Sequence, residues 1–510
     1  MIELSIARIA EIVGGELADI TPAEAAATYV TGTVEFDSRA IGPGGLFLAL
    51  PGARTDGHDF AAAAMAAGAV AVLAARPVGV PAIIVPPARE DSVADAHAGV
   101  LEHDTDGAGA AVLAALGLLA AAVADELAAG GLRIIGITGS SGKTSTKDLI
   151  AAVLRPLGEV VAPPGSFNNE LGHPWTVLRA TRDTDFLVLE MSARHPGNIA
   201  ALARIARPSI AVVLNVGTAH LGEFGSREVI ATTKAELVQS VPESGVVILN
   251  ADDPVVAAMA SQTPARVVTV GRSPSADVRA EQIELDALAR PRFTLVTAGG
   301  RAAVTLAVHG EHQVGNALSA AAVALECGAT PSVVAAALAC AAPASRHRME
   351  VHTRTDGVTV INDAYNANPD SMRAGLQALA VMARDGGHRS WAVLGEMGEL
   401  GEESITEHDR VGRLVVRLDI TRLVVVGSGR PMSAMHHGAV MEGSWGSESI
   451  PVPDADAALE LLRRELQPGD VVLVKASNAA GLGALADTLL HDVPAQDAPV
   501  QDAPVQDASG

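Results

Sequence analysis

The segment LRIIGITGSSGKTSTKDLIAAVL, residues 132–154, constrains the fold of this chain more than any other stretch. It reads as a strand, a Gly/Ser turn and a helix. A near-continuous apolar strand is buried on both faces, which calls for a parallel sheet covered by helices on either side. FLVLE, IAVVLNV and GVVILN repeat the pattern, with helical segments between them. A second series follows Arg348, with VTVIND, SWAVLG, RLVVVG and DVVLVKA as its strands. Both series predict α/β architecture.

At 510 residues the chain exceeds what one hydrophobic core organises, so about three domains are expected, with clefts between them. Composition shifts place a first domain at 1–87, a polar connection at 88–105, a central domain at 106–343 and a C-terminal domain at 344–490. Residues 491–510 carry a five-residue Pro/Asp/Gln repeat that cannot form a core and reads as a disordered tail. Aromatics are only 2% of the chain, so Ala, Val and Leu must fill the cores.

The turn at 139–142 points to phosphate chemistry. Gly139 and Gly142 permit close backbone approach, and the helix N-terminus supplies amide donors to an anion. Lys143 reaches nucleotide β/γ phosphates, and the Thr144 hydroxyl suits Mg²⁺. Thr138, Ser140, Ser141 and Ser145 complete the expected phosphate-binding stretch. The general P-loop pattern wants glycine at 137, where Ile137 stands, so this is a shorter variant. Glu190 ends FLVLE and His220 follows IAVVLNV. Strand ends are where ligands of open α/β sheets bind, although alone each residue reads as a cap or a structural side chain.

A formal net charge of −23 with no basic run excludes nucleic acid as an expected partner. Cys327 and Cys340 lack a CxxC spacing and are expected to be reduced core thiols. No basic region precedes an apolar stretch at the N-terminus, so a cytoplasmic location is expected. The uncharged run from Gly107 to Ala124 approaches spanning length, but acidic residues flank it and a buried helix is the expectation.

Beyond the phosphate turn, FDSRAIGPGGLFLALPGARTDGHDF, GSFNNELGHPWTVL, EMSARHPGNI, INDAYNANPDSM and LGEMGELGEES together make the chain resemble the Mur ligase family over nearly its whole length. The resemblance implies a small N-terminal α/β domain, a central P-loop parallel-sheet ATPase domain and a Rossmann-like C-terminal domain. It implies ATP-dependent joining of a carboxylate to an amine through an acyl-phosphate. INDAYNANPDSM points to UDP-N-acetylmuramoyl-tripeptide and D-alanyl-D-alanine as substrates rather than a single amino acid. A plain P-loop NTPase or phosphotransferase would need neither that segment nor the N-terminal one.

Residue by residue, the resemblance assigns a carbamate to Lys234, which with Thr144, Glu190 and His220 would hold two Mg²⁺ ions. Ala235 stands where a glycine commonly follows that lysine. Asn316 is assigned to adenine, and Arg348 and Asp363 to phosphates and ribose. Ser38, Arg39, Asp56, Gly57 and His58 are assigned to the sugar nucleotide, with Asn168 and Asn169 near peptide and metal. Tyr365, Asn366 and Asn368 are assigned to substrate in the C-terminal domain. KASNAAGL at 475–482 departs from the family's Lys-Gly-Ser-Arg at Ala476 and Asn478. The resemblance further implies a monomer with no stable membrane insertion.

Overall fold

The computed structural model describes residues 1–52, 55–86, 104, 106–218, 221–443 and 448–492. The 88–105 connection and the 491–510 tail therefore fall almost entirely outside the described residues.

Three large sheets, beside a two-stranded antiparallel pair of Leu4–Ser5 with Tyr29–Val30, organise the described residues. The N-terminal five-stranded sheet runs in the order Glu16–Ala18, Ala82–Ile84, Ala69–Ala74, Gly45–Leu48, Val34–Glu35. It is parallel except at Glu16–Ala18. The central nine-stranded sheet places Arg133–Thr138 between Phe186–Glu190 and Ile210–Val213, parallel to both. Val246–Asn250 and Arg266–Gly271 extend it in parallel, and Val278–Leu285, Pro291–Thr297 and Gly300–Thr305 finish it as an antiparallel meander. The C-terminal six-stranded sheet is parallel apart from its edge strand Glu350–Thr353.

The chain leaves Arg133–Thr138 first toward Phe186–Glu190 and later crosses to Ile210–Val213 on the other side. This makes the carboxyl end of Arg133–Thr138 a topological switch point, where open α/β sheets form their ligand crevice. Register sets Glu190 beside Ile137 and Val213 beside Thr138, so the strand ends are level with the phosphate turn.

Helix Ala108–Ala129 is long and apolar enough to cross a membrane by length and composition, yet 72% of its apolar window is buried inside the molecule. Val112, Leu116, Leu119 and Val123 pack with Ile6, Leu46 and Ile83 of the N-terminal domain and with Ile134 and Leu187 of the central sheet. A single apolar cluster thus joins these two domains. The scarce aromatics reinforce the joint. Trp175 lies 4.8 Å from Phe167 and 5.9 Å from Phe36, and its Nε1 donates to the Val34 carbonyl at 2.9 Å.

One expectation is corrected: Cys340 is exposed and Cys327 is only partly buried. Cys340 is the last residue of helix Pro331–Cys340, and Cys327 caps helix Gln313–Glu326, where it packs at the edge of the core.

Candidate active site

A cleft of about 1150 Å³ lies between the central sheet and the C-terminal domain. Its floor is the phosphate turn. Gly142 adopts φ +82°, a left-handed conformation that favours glycine, and a Cβ there would come within 2.8 Å of Asn316 Oδ1. The turn is braced from the end of strand Ile210–Val213. Ser140 N donates to Asn215 O at 3.1 Å, Ser141 N to Asn215 Oδ1 at 3.0 Å, and Asn215 Nδ2 returns a bond to Ser141 O. With those two amides committed, the donors left for an anion include the N–H groups at the start of helix Lys143–Leu154. Lys143 Nζ donates to Gly139 O at 2.7 Å, folded over the turn. Its burial holds its pKa below the usual lysine range.

Behind the turn, Glu190 is fully buried. Its Oε2 accepts from Thr144 Oγ1 at 3.2 Å and Asn168 Nδ2 at 3.3 Å, while Oε1 has no partner among the described residues. Burial pushes the Glu190 carboxyl pKa up, against the opposing fields of Lys147, Lys143 and Arg348. Thr144 Oγ1 also contacts Ser166 Oγ at 2.5 Å. Arg348 comes in from the C-terminal side, donating to Ser166 Oγ at 3.1 Å and Thr144 Oγ1 at 3.4 Å. Its guanidinium lies 4.2 Å above the Tyr365 ring.

Of the residues expected from the sequence, the cleft gathers Ser140, Ser141, Gly142, Lys143, Thr144 and Ser145 on its floor. Asn168, Asn169 and Asn316 line the central wall, and Arg348, Asp363, Tyr365, Asn366 and Asn368 the facing one. Several already serve local structure. Asn169 Oδ1 accepts from Gly172 N, Asn368 caps helix Pro369–Gly386, and Asn316 Nδ2 donates to Gln313. Asp363 Oδ2 is paired with buried Lys475 at 2.5 Å and its Oδ1 accepts from Met349 N.

Thr138, Gly139 and Glu190 stand behind the lining rather than in it, and the Thr138 hydroxyl has no partner among the described residues. Lys234 is buried in helix Arg227–Ser240, also off the lining. Burial, and then the charge of Lys143, push its pKa well below the ordinary lysine value. His220 lies outside the described residues.

Ser38, Arg39, Asp56, Gly57 and His58 do not line this cleft. Arg39 points into solvent, paired with its neighbour Asp37. His58 is buried, with Nδ1 on Asp56 Oδ1 at 2.7 Å and Nε2 accepting from Ala75 N. Asp56 also holds Arg76. A Cβ at Gly57 would come within 2.6 Å of the Leu50 backbone, so its glycine serves close packing.

Residues missed from the sequence include Asn215, Ser166, Lys147 and Lys475. The first two flank strand and loop ends whose role appears only when the turn folds over them. The lysines carry no signal, because a buried lysine and a surface lysine look alike in sequence.

The chain matches the Mur ligase family catalytic domain over residues 32–116, the Mur ligase middle domain over 137–324 and the Mur ligase glutamate ligase domain over 347–478. It is 72% identical to the UDP-N-acetylmuramoyl-tripeptide–D-alanyl-D-alanine ligase of Mycobacterium tuberculosis, covering 96% of this chain and 98% of that one. It is 36% identical to the Escherichia coli ligase of the same name, over 84% and 86% of the two chains. Among solved structures, MurF from Acinetobacter baumannii superposes with a TM-score of 0.80 at 29% identity, covering 96% and 99%. MurF from Thermotoga maritima in complex with ADP gives 0.72 at 27%, covering 90% and 97%. The chain belongs to the Mur ligase family.

Proposed function

We infer that this chain is an ATP-dependent ligase that adds D-alanyl-D-alanine to UDP-N-acetylmuramoyl-tripeptide, giving the pentapeptide nucleotide used in peptidoglycan synthesis. The observation that carries the reading is one cleft with the phosphate turn on its floor and the 363–371 segment on one wall.

At neutral pH a carboxylate has no usable leaving group. A terminal carboxylate oxygen of the tripeptide therefore attacks the γ-phosphorus of ATP, ADP departs, and an acyl-phosphate forms. The dipeptide amine then attacks the acyl carbon, the amine proton is lost, and inorganic phosphate leaves. Lys143, Arg348 and the helix amides from 143 onward face the region where phosphoryl charge accumulates. Closure of the two walls keeps water from the acyl-phosphate.

The Glu190 environment suits Mg²⁺. An unpartnered buried carboxylate oxygen beside the Thr144 hydroxyl is a hard-donor arrangement. Among the described residues no three His, Cys, Asp or Glu side chains cluster, so water and phosphate oxygens would complete the shell. When bound, Mg²⁺ would neutralise phosphate charge and orient the γ-phosphoryl group. Thr144 and Glu190 would hold one ion, and His220 with a carbamate on Lys234 a second. Carbamate formation needs a neutral amine, which attacks CO₂ and loses a proton. Burial, and then the charge of Lys143, lower the Lys234 pKa and so favour the neutral amine, which supports that assignment. Arg39, Asp56 and the rest of the N-terminal set remain the proposed sugar-nucleotide site. We place the reaction in the cytoplasm, where ATP is supplied, with one chain as the functional unit because both walls come from it.

The test is phosphate release from ATP, Mg²⁺ and the tripeptide nucleotide, with and without D-alanyl-D-alanine, followed by mass spectrometry. Release that needs the dipeptide and yields the pentapeptide nucleotide is expected. Release indifferent to the dipeptide would leave only an NTPase.

A further inference from the structure

Lys147 lies one helical turn beyond Lys143 and does not line the cleft. Its side chain is only 2% exposed, and a buried ammonium is costly unless fully partnered. It is fully partnered. Nζ donates to Pro163 O at 2.7 Å, Gly165 O at 3.3 Å and Ser345 Oγ at 3.3 Å, and pairs with Asp148 Oδ1 at 2.6 Å. The other Asp148 oxygen accepts from Ser345 N at 3.1 Å.

These contacts join three separate parts of the site. Pro163 and Gly165 lead directly into Ser166, whose hydroxyl meets both Thr144 and Arg348. Ser345 begins the connection to the C-terminal domain, three residues before Arg348. In that connection His347 and Met349 take φ +57° and +52°, a strained conformation for side chains of their size, so Arg348 is flanked by two residues that need outside support. The contacts form a closed ring: Thr144 to Ser166, back through Gly165 to Lys147, across to Ser345, along the chain to Arg348, and again to Thr144.

We propose that Lys147, with Asp148, is a positioning residue that sets Ser166 and the 345–349 connection so that Arg348 meets the phosphate turn. It touches no substrate and acts through Arg348. This rests on the ligase reading above.

A double-mutant cycle on the full chain tests it. Lys147→Met is expected to lower kcat about tenfold or more while KM for ATP changes less than about threefold. Lys147→Arg, which keeps charge and donors, should recover most of the loss. In the Arg348→Ala background, Lys147→Met should add less than about a threefold further loss, because both act through one ring. Multiplicative losses, wild-type kcat in K147M, or a raised KM at unchanged kcat would overturn the proposal. If K147M does not melt cooperatively, Ser345→Ala removes a single acceptor and carries the same cycle. Amide exchange over 345–349, read in the same samples, should quicken about tenfold in K147M or S345A, and unchanged exchange would also overturn it. Because exchange needs no turnover, a wild-type chain without dipeptide-dependent release would sink the ligase reading while leaving this one to be judged separately.

Discussion

Glu190 illustrates the tension between folding and chemistry at the scale of one residue. A carboxyl whose pKa is raised in the fold binds its proton more tightly folded than unfolded. Its charged form therefore weakens the free protein at every pH above the raised value, and the penalty is relieved as pH falls through it toward the ordinary carboxylate range. Glu190→Gln is accordingly expected to raise the melting midpoint of the ligand-free protein at neutral pH by about 1–3 °C, by calorimetry. The same change should lower dipeptide-dependent ligation by roughly 100-fold or more. A midpoint that falls would mean that Lys143, Lys147 and Arg348 need the charge more than burial opposes it. Lys234 gives the pH-dependent counterpart. Its lowered pKa leaves the amine free for CO₂ as pH rises, and protonation on the acid side reverses carbamate formation. Activity in CO₂-depleted buffer should therefore fall on the acid side and return on adding bicarbonate, whereas Lys234→Ala should be inactive and unresponsive. Equal activity with and without bicarbonate at every pH would remove the carbamate from the scheme. Lys143, Thr144 and Glu190 were legible in sequence because turn chemistry and strand ends place them locally. Lys147 and the Lys475–Asp363 pair were not, since apart from the adjacent Asp148 the partners named for them lie 16 to 198 residues away along the chain.

At the scale of elements, the parallel strands were legible because burial on both faces leaves uninterrupted Val/Ile/Leu runs. The antiparallel end of the central sheet was not. Strand Val278–Leu285 alternates polar with apolar residues, faces solvent on one side and carries a register shift between Glu281 and Glu284, so no continuous run marks it. Helix Ala108–Ala129 was readable as an apolar helix, but its task, to join two domains in one core, depends on packing. Leu119 is fully buried in that joint. Leu119→Ala should cost roughly 2–5 kcal/mol, measured by chemical denaturation of the free protein. Because one cluster spans both domains, the N-terminal domain and the central sheet should unfold in a single transition. A separate early N-terminal transition in the wild type would contradict the shared core.

The whole molecule is held together unequally. The N-terminal and central domains share an apolar core, whereas the C-terminal domain keeps its own apolar clusters, joined from the central domain by Ala289, and meets that domain also through polar and backbone contacts. Arg194 pairs with Glu399 at 3.2 Å, Gly222 N donates to Glu399 O at 3.2 Å, and Gly222 packs against Gly401. Such an interface suits a domain that opens to admit substrates and closes over the acyl-phosphate. A backbone-to-backbone approach at Gly222 leaves no room for a side chain. A Cβ on Gly222 would lie 2.6 Å from Gly401 N and 2.8 Å from Gly401 Cα, and backbone cannot swing aside as a flexible side chain can. Gly222→Ala should therefore leave the folded core intact, with an unchanged melting profile, yet keep the domains from closing fully. Small-angle scattering of the wild type should contract when ATP analogue and tripeptide nucleotide saturate it, and G222A should contract less. Its kcat/KM should fall about tenfold or more, since the facing walls no longer reach their reactive separation. Full contraction and full activity in G222A would mean that the seam yields elsewhere, and that closure is governed by the 345–349 connection alone.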